Sequence, residues 1–321
     1  MLEVKNLASY FDTEDGCIKA VDGVDFTVGK GDTLGVVGES GCGKTVLALS
    51  IMRLLATPPG RIVSGEVILD EVDILKLSAK EMRQIRGRDI SMIFQEPMTF
   101  LNPVLKVGEQ IAESVRLHLG VSRREAMNVA VEMLRRVSMP APERRVYDYP
   151  HQMSGGMRQR VMIAMAISCN PKIVLADEPT TALDVTIQAQ IIELINRLKK
   201  EIGASVILIS HDLGVIAEAA QFAAVMYAGK IMEYGSKEDI FSTPLHPYTV
   251  GLMSSLPGLG GRRKDGCRLK AIPGSVPLLN ALPPGCRFHN RCFDVMEICH
   301  KEEPILKVKA REHKVRCWKY V

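Results

Sequence analysis

The chain has 321 residues, 46% of them hydrophobic and 24% charged, so it can bury a core of at least one large domain. This apolar content and the lack of a low-complexity tract exclude a disordered chain, and the lack of any run of 18 apolar residues argues against a membrane-spanning helix. The formal net charge of +4 is uneven, because residues 260–321 hold 14 Lys or Arg against 6 Asp or Glu, a balance that is more often a solvated surface than a site for nucleic acid or acidic lipid.

The amino-terminal residues have the pattern of strands and lack the features of a signal peptide. Residues 1–6 have neither an apolar core nor a cleavage site, so we expect no signal peptide and a cytosolic location. Residues 2–7 and 24–28 have the pattern of strands. Between them, Tyr10 and Phe11 form an aromatic pair that could stack on a planar ring or simply pack at a strand end.

The most specific motif lies between a predicted strand at 33–37 and a predicted helix at 46–54. Residues 38–45, Gly-Glu-Ser-Gly-Cys-Gly-Lys-Thr, fit the pattern G-x-x-x-x-G-K-[ST]. Glycines let the backbone wrap around a phosphate chain, and the helix N-terminus adds the positive end of its dipole. We predict that Lys44 contacts the β- and γ-phosphates of a nucleotide and that the Thr45 hydroxyl ligates Mg²⁺.

The other loop residues expected to line the nucleotide are Gly38, Ser40, Gly41, Cys42 and Gly43. The thiol of Cys42 could make the site sensitive to thiol reagents, or Cys42 could be a small filler residue. The elements predicted next are strands at 65–69 and 89–94 and helices at 107–119 and 123–137. The second of these strands runs into Gln95. A further helix opens at Ser154, Gly155 and Gly156, a second potential anion site that is a weak signal alone.

Two carboxylates, Asp177 and Glu178, end an apolar strand that starts at Lys172. Open α/β sheets bind ligands at the carboxyl ends of their strands. One acid placed there can hold Mg²⁺ through water, and a second can orient or deprotonate an attacking water. After a predicted helix at 185–200, a strand at 204–210 ends at His211, the third strand end that we expect to converge on one site.

Together these motifs resemble the ATP-binding subunit of an ABC transporter over roughly residues 1–235. The matching motifs are Walker A at 38–45, the Q-loop at Gln95, the signature at Ser154–Gln159, Walker B and the catalytic acid at Asp177 and Glu178, the D-loop at Thr181–Asp184 and the switch histidine at His211. Phe11 fits the adenine-stacking position, with Tyr10 as the alternative. Met153, Thr45 and Thr181 depart mildly from the residues common in the family, and none of them removes a needed functional group.

The resemblance implies an α/β fold: a P-loop ABC ATPase with a mixed sheet core, a helical signature subdomain at about 97–160 and a small Cys-rich C-terminal extension. We expect a nucleotide-binding domain at 1–240 and the extension at 241–321. Two such subunits face each other head to tail, so Ser154, Gly155 and Gly156 should contact ATP held by the partner. Asp177 helps to hold Mg²⁺, and Glu178 polarises the attacking water.

The same resemblance implies that His211 senses the γ-phosphate and that Gln95 links Mg²⁺ to the membrane-facing surface. The partners implied are a second ABC ATPase subunit, expected to be a paralogue in a heterodimer, two integral membrane permease subunits and, indirectly, an external peptide-binding protein. No nucleic acid partner is implied. The expected place of the chain is the cytoplasmic face of the cell membrane, as a peripheral subunit.

The C-terminal residues resemble the extension of dipeptide and oligopeptide importer ATPases in three stretches, at 242–249, 272–277 and 285–292. Four cysteines there, at Cys286, Cys292, Cys299 and Cys317, have the spacing C-x5-C-x6-C-x17-C. Subunits of this kind can carry an iron–sulfur cluster, and four thiolates suit either a [4Fe–4S] cluster or structural zinc, with free thiols as a third reading. Basic neighbours such as Arg287 and Arg291 could balance the negative charge of a cluster, while Cys267 is a spare cysteine in a basic linker.

The leading interpretation is an ATPase that powers import of dipeptides or oligopeptides, and three other functions fit parts of the pattern. The same ATPase could power uptake of nickel or another small solute. A soluble ABC ATPase that acts on DNA, ribosomes or iron–sulfur assembly would instead carry a coiled-coil insertion, carry a second cassette or lack the importer tail. A nucleotide-binding scaffold would need a degraded site, whereas Lys44, Asp177, Glu178 and His211 are all present.

Overall fold

The computed structural model describes residues 1–181, 183–255, 272–310 and 312–321. The chain divides into two compact units. The first comprises Met1, Val28–Thr33 and Lys76–Ile209, and the second comprises Leu2–Thr27, Leu34–Leu75 and Ser210–Val321. Neither unit ends at residue 240, so the domain boundary expected there stays a prediction.

The strands of the described residues are β1 (Leu2–Thr13), β2 (Gly16–Val28), β3 (Thr33–Val37), β4 (Gly60–Leu69), β5 (Val72–Asp73), β6 (Ile90–Ile93), β7 (Ile173–Asp177), β8 (Ser205–Ser210), β9 (Phe222–Tyr227), β10 (Lys230–Ser236), β11 (Lys307–Ala310) and β12 (His313–Val315). The α-helices are α1 (Lys44–Ile51), α2 (Ala79–Ile85), α3 (Pro97–Phe100), α4 (Val107–Leu119), α5 (Arg123–Arg136), α6 (Pro142–Arg145), α7 (Gly155–Ile167), α8 (Val185–Ile202), α9 (Leu213–Ala219), α10 (Lys237–Ser242) and α11 (Pro247–Ser254). Short 3-10 helices lie at Pro150–Gln152, His289–Arg291, Glu297–His300 and Trp318–Tyr320.

The first unit is built on parallel strands. β7 pairs with β6 on one side and with β8 on the other, and Asp177 at its end is in register with Ile209. Every residue of β6, β7 and β8 is buried, as the near-continuous apolar sequence of a parallel strand covered on both faces requires. The turn between helices α4 and α5 carries a clear stop signal and a clear start signal. Gly120 ends α4 in the left-handed region, and Ser122 begins α5 in a capping box.

The second unit contains two sets of strands. In one set the order is β2-β1-β4-β5, and β1 pairs with β4 in antiparallel register from Leu2–Leu69 to Phe11–Gly60. In the other, β3 is parallel to β9, β10 is antiparallel to β9, and the C-terminal hairpin β11–β12 pairs with β10 through β12. The loop after β3 leads directly into α1. Among the described residues, no helix combines the length and the apolar character that crossing a bilayer requires.

Candidate active site

The loop between β3 and α1 is a tight glycine cradle. A Cβ at Gly38 would come within 2.1 Å of the carbonyl oxygen of Met226, and one at Gly43 within 2.0 Å of the carbonyl oxygen of Ala20. Gly43 also has a φ of 106°, in the left-handed region that favours glycine. The backbone can adopt this shape only without side chains, and it leaves N–H groups near a helix N-terminus, where an anion binds well. The loop therefore fits the phosphates of a nucleotide.

Lys44, the first residue of α1, holds its charge against this loop. Its Nζ donates to the carbonyl oxygens of Gly38 at 2.8 Å and Glu39 at 3.2 Å, and the side chain is buried. An ammonium that is already desolvated and oriented interacts strongly with a phosphate oxygen. Thr45, the expected Mg²⁺ ligand, follows on α1 and is exposed.

Cys42 is packed into the loop with its thiol buried. Its side chain is fully buried, and its carbonyl oxygen accepts a hydrogen bond from Gly229 N at 2.9 Å. Burial raises the pKa of the Cys42 thiol. Because thiol reagents attack an accessible thiolate, the structure favours the small filler residue over the reactive thiol.

The two carboxylates expected to act in hydrolysis lie at the end of β7. Asp177 is buried as the last residue of the strand, and Glu178 follows it half-buried. Glu178 has a φ of 43°, a left-handed conformation that costs a non-glycine residue about 1–3 kcal/mol. The surrounding backbone holds it there, since Glu178 N donates to Ile209 O at 3.0 Å and Thr181 N donates to Glu178 O at 3.1 Å.

Two side chains orient the Glu178 carboxylate. Gln95 Nε2 donates to Glu178 Oε2 at 3.1 Å, and the Thr181 hydroxyl donates to the same oxygen at 2.9 Å. The structure thus joins residues of the predicted Q-loop, Walker B and D-loop motifs in the first unit. Sequence reasoning named Thr181 only as part of the D-loop, because no local signal shows that its hydroxyl reaches the acid.

The predicted signature motif begins α7. The Ser154 hydroxyl caps the helix by accepting from Met157 N at 3.4 Å, and both Ser154 and Gly155 are exposed. A cavity of about 300 Å³ opens beside them, and its lining includes Gln95, Gly155 and Thr181. The start of α7 is therefore accessible to a ligand outside this chain.

The remaining predicted nucleotide residues lie in the second unit with the glycine loop. His211 follows β8 and is exposed. Phe11 is half-buried on β1, opposite Gly60. Tyr10, the alternative aromatic, is engaged elsewhere, because its hydroxyl donates to Asp22 Oδ1 at 2.7 Å; burial and this hydrogen bond raise the pKa of Tyr10 to about 12. Phe11 is accordingly the better candidate to stack on a base.

The four C-terminal cysteines do not form a metal site as they stand. In the described part of the chain, no group of three or more His, Cys, Asp or Glu side chains could hold a metal ion, so the expected [4Fe–4S] or zinc site is not confirmed. All four are free thiols, and Cys267 lies outside the described residues. Burial, reinforced by neighbouring thiols, raises the pKa of Cys286 to about 12 and of Cys292 to about 11.

The two arginines expected to balance a cluster are paired with carboxylates instead. Arg291 makes a bidentate ion pair with Glu39, at 2.7 and 3.1 Å, and Arg287 pairs with Asp22. The two guanidinium charges are therefore already compensated by carboxylates, and their balancing of a cluster stays a prediction. Glu39 occupies a variable position of the loop motif, and its partner is 252 residues away in sequence, so no pattern in the sequence could have revealed this contact.

Comparisons with known proteins agree with this geometry. Residues 21–181 match the family model described as ABC transporter, and residues 232–299 match that of the oligopeptide/dipeptide transporter C-terminal region. The chain is 51% identical to a probable peptide ABC transporter ATP-binding protein of Sinorhizobium fredii, y4tR, across 99% of this chain and 95% of that protein. It is 49% identical to the oligopeptide transport ATP-binding protein AppD of Bacillus subtilis, across 100% and 97%.

A similar solved structure is a dimeric post-hydrolysis state of the ATP-binding cassette MJ0796 bound to ADP and Pi. It has a TM-score of 0.66 and 28% identity, and the match covers 74% of this chain and 99% of that one. This likeness confirms the predicted α/β fold class.

Proposed function

The chain belongs to the ABC transporter family and is an ATPase of that family; from this premise we propose that it powers the import of dipeptides or oligopeptides. The observation that carries the substrate class is the match of residues 232–299 to the oligopeptide/dipeptide transporter C-terminal region. Relatives that are about half identical over nearly their whole length carry the same kind of name, among them the dipeptide transport ATP-binding protein DppD of Bacillus subtilis.

In the proposed mechanism, the phosphate loop and Lys44 bind the β- and γ-phosphates, and Phe11 stacks on the adenine. Thr45, Gln95 and Asp177 would hold Mg²⁺, which neutralises charge on the phosphates when it is bound. Glu178, kept in one orientation by Gln95 and Thr181, accepts a proton from the attacking water. His211 donates a hydrogen bond to the γ-phosphate.

A second ATPase subunit completes each site. Ser154 and Gly155, which are exposed, and the half-buried Gly156 at the start of α7 contact the nucleotide of the partner. The dimeric cassette MJ0796, to which the fold is similar, supports this arrangement. We propose that the partner is a paralogue and the working dimer a heterodimer.

Membrane subunits contact the segment that follows Gln95. Large apolar side chains are exposed there, with Met98 59%, Phe100 49% and Val104 75% accessible. Such a patch, next to the residue that orients Glu178, suits docking of a permease. The chain then acts at the cytoplasmic face of the membrane, with two permease subunits and, through them, an external peptide-binding protein, and it needs no nucleic acid.

The decisive experiment is reconstitution. The chain, its paralogue and two permease subunits should co-purify, and in proteoliposomes the ATPase rate should rise when a peptide-loaded binding protein is added. Nickel salts with the same components should leave the rate unchanged. Stimulation by nickel alone would move the substrate to the alternative solute, and failure to co-purify with any membrane subunit would overturn the transport function.

The cysteine group is proposed to close around a [4Fe–4S] cluster. Supporting this, Cys286 N donates to Cys299 O at 2.8 Å, which joins two of the four segments. The other three thiols also lie close enough to Cys286 to help raise its pKa. Four thiolates are the usual ligands of such a cluster. Anaerobic protein should be brown and contain iron and acid-labile sulfide in equal amounts, and Cys292→Ser should bleach it. Colourless protein with stoichiometric zinc would assign the site to zinc instead, and protein without metal would leave four thiols.

A further inference from the structure

Glu39 is the second residue of the phosphate loop, and each of its polar atoms has a partner. Its carboxylate oxygens accept from the two Nη atoms of Arg291, at 2.7 and 3.1 Å. Its N–H donates to the hydroxyl of Tyr248 at 3.0 Å, and its carbonyl oxygen accepts from Lys44 Nζ. Two of these partners, Arg291 and Tyr248, lie in the C-terminal extension.

Both partners are themselves fixed. Tyr248 is fully buried on α11, with its ring 4.7 Å from that of Tyr227 and 5.3 Å from that of Phe288. The Arg291 side chain is 6% exposed, donates from Nε to Pro273 O at 2.8 Å and lies over the Tyr227 ring at 5.7 Å. A planar, buried guanidinium held this way loses little further freedom when it binds a carboxylate. Glu39 is therefore bound to rigid groups.

We propose that Arg291 and Tyr248 are positioning residues of the phosphate loop, which fix Glu39 and neutralise its charge so that the loop can bind the anionic phosphates of ATP. A bare carboxylate in an anion site would repel the ligand and would be free to draw Lys44 away from it. The bidentate ion pair removes both effects. The proposal rests on the ATP site proposed above.

A consequence is that the C-terminal extension acts on nucleotide binding. Arg291 immediately precedes Cys292 in the chain. Any change that shifts this segment, including one at the cysteine group, also shifts the guanidinium that pairs with Glu39. The contacts of Tyr248 and Arg291 with Glu39 join the C-terminal extension to the phosphate loop.

The test is a charge-rescue experiment with a fluorescent ATP analogue. Arg291→Met should weaken binding about tenfold, which corresponds to about 1.4 kcal/mol. The double variant Arg291→Met/Glu39→Gln should recover most of this loss, because the unpaired charge is gone. The defect of the single variant should also shrink at high salt, which screens repulsion. Arg287→Met is the matched control, because it removes an equally buried arginine that pairs with Asp22 and not with Glu39. The affinity of this variant for the ATP analogue should stay unchanged.

Tyr248→Phe provides a second, milder variant, which keeps the ring packing and removes only the hydroxyl that binds Glu39 N; a loss of about threefold is expected from one hydrogen bond. Unchanged affinity in both Arg291→Met and Tyr248→Phe would overturn the proposal. So would a loss in Arg291→Met that the second substitution does not rescue, since that would make the arginine a general scaffold residue. Absence of ATP binding by the wild-type chain would instead overturn the proposed function.

Discussion

Acid should destabilise the C-terminal part of the chain through His246. This side chain is 1% exposed, and its Nδ1 accepts from Tyr248 N at 3.0 Å, which caps α11. Burial lowers the pKa of His246 to about 4, against an ordinary value of 6.5. Because the folded pKa is the lower one, the unfolded chain takes up the proton first. The stabilisation is complete above pH 6.5 and is lost as the pH falls toward 4. Between about pH 8 and pH 5 the loss should be about 2 kcal/mol.

Urea unfolding at these two pH values can measure this loss. The single tryptophan, Trp318, donates from Nε1 to Glu302 O at 2.9 Å, so its fluorescence reports the C-terminal part. His246→Asn keeps a side-chain oxygen that can cap α11 but cannot titrate. We expect the wild type to lose about 2 kcal/mol more than this variant on acidification. His151→Asn is the control, because His151 is exposed. Its loss of stability on acidification should equal that of the wild type. Equal pH dependence in wild type and His246→Asn would refute the reasoning.

Three further predictions concern the ATPase. Glu178→Gln should bind ATP but hydrolyse it on the order of 10²–10⁴-fold more slowly, because the base is neutralised while its shape is kept; a steady-state rate near wild type would exclude Glu178 as the base. Lys44→Ala should raise the Kd for ATP on the order of 10- to 100-fold, as expected for lost hydrogen bonds to a charged group, and an unchanged Kd in equilibrium binding would argue against the site. The turnover per chain should rise steeply with protein concentration or on addition of the paralogue, since Ser154–Gly156 must come from a second chain; full activity at high dilution would contradict that dependence.

Short-range features of the molecule were predictable from the sequence. The strand at 33–37 and the helix at 107–119 have the predicted bounds, because apolar periodicity and flanking glycines act within a few residues. The amino-terminal strands were predicted too short. β1 continues through Asp12, a polar residue held by Arg61 of β4 at 2.7 Å, and such a cross-strand pair has no local signal.

Contacts between distant residues were not predictable. The ion pair of Arg291 with Glu39 and the hydrogen bond of Gln95 with Glu178 depend on the packed fold, not on neighbours in sequence. For the aromatic pair, the resemblance placed Phe11 at the adenine-stacking position, with Tyr10 as the alternative. The structure distinguishes the two members of the pair, because Tyr10 is held by the hydrogen bond from its hydroxyl to Asp22, whereas Phe11 has no hydroxyl to be held in this way.

The pairing of β12 with β10 makes the extension a condition for a soluble core. β12 covers the backbone edge of β10, with Glu233 opposite Val315. The Glu233 side chain is fully buried, accepts from Leu245 N and His246 N at 2.8 Å each, and lies 2.7 Å from His313 Nε2. A chain truncated at residue 240 would expose the backbone edge of β10, which is a template for aggregation. It would also leave the buried Glu233 carboxylate without hydrogen-bond donors. Expression of an isolated cassette should therefore retain the residues through β12.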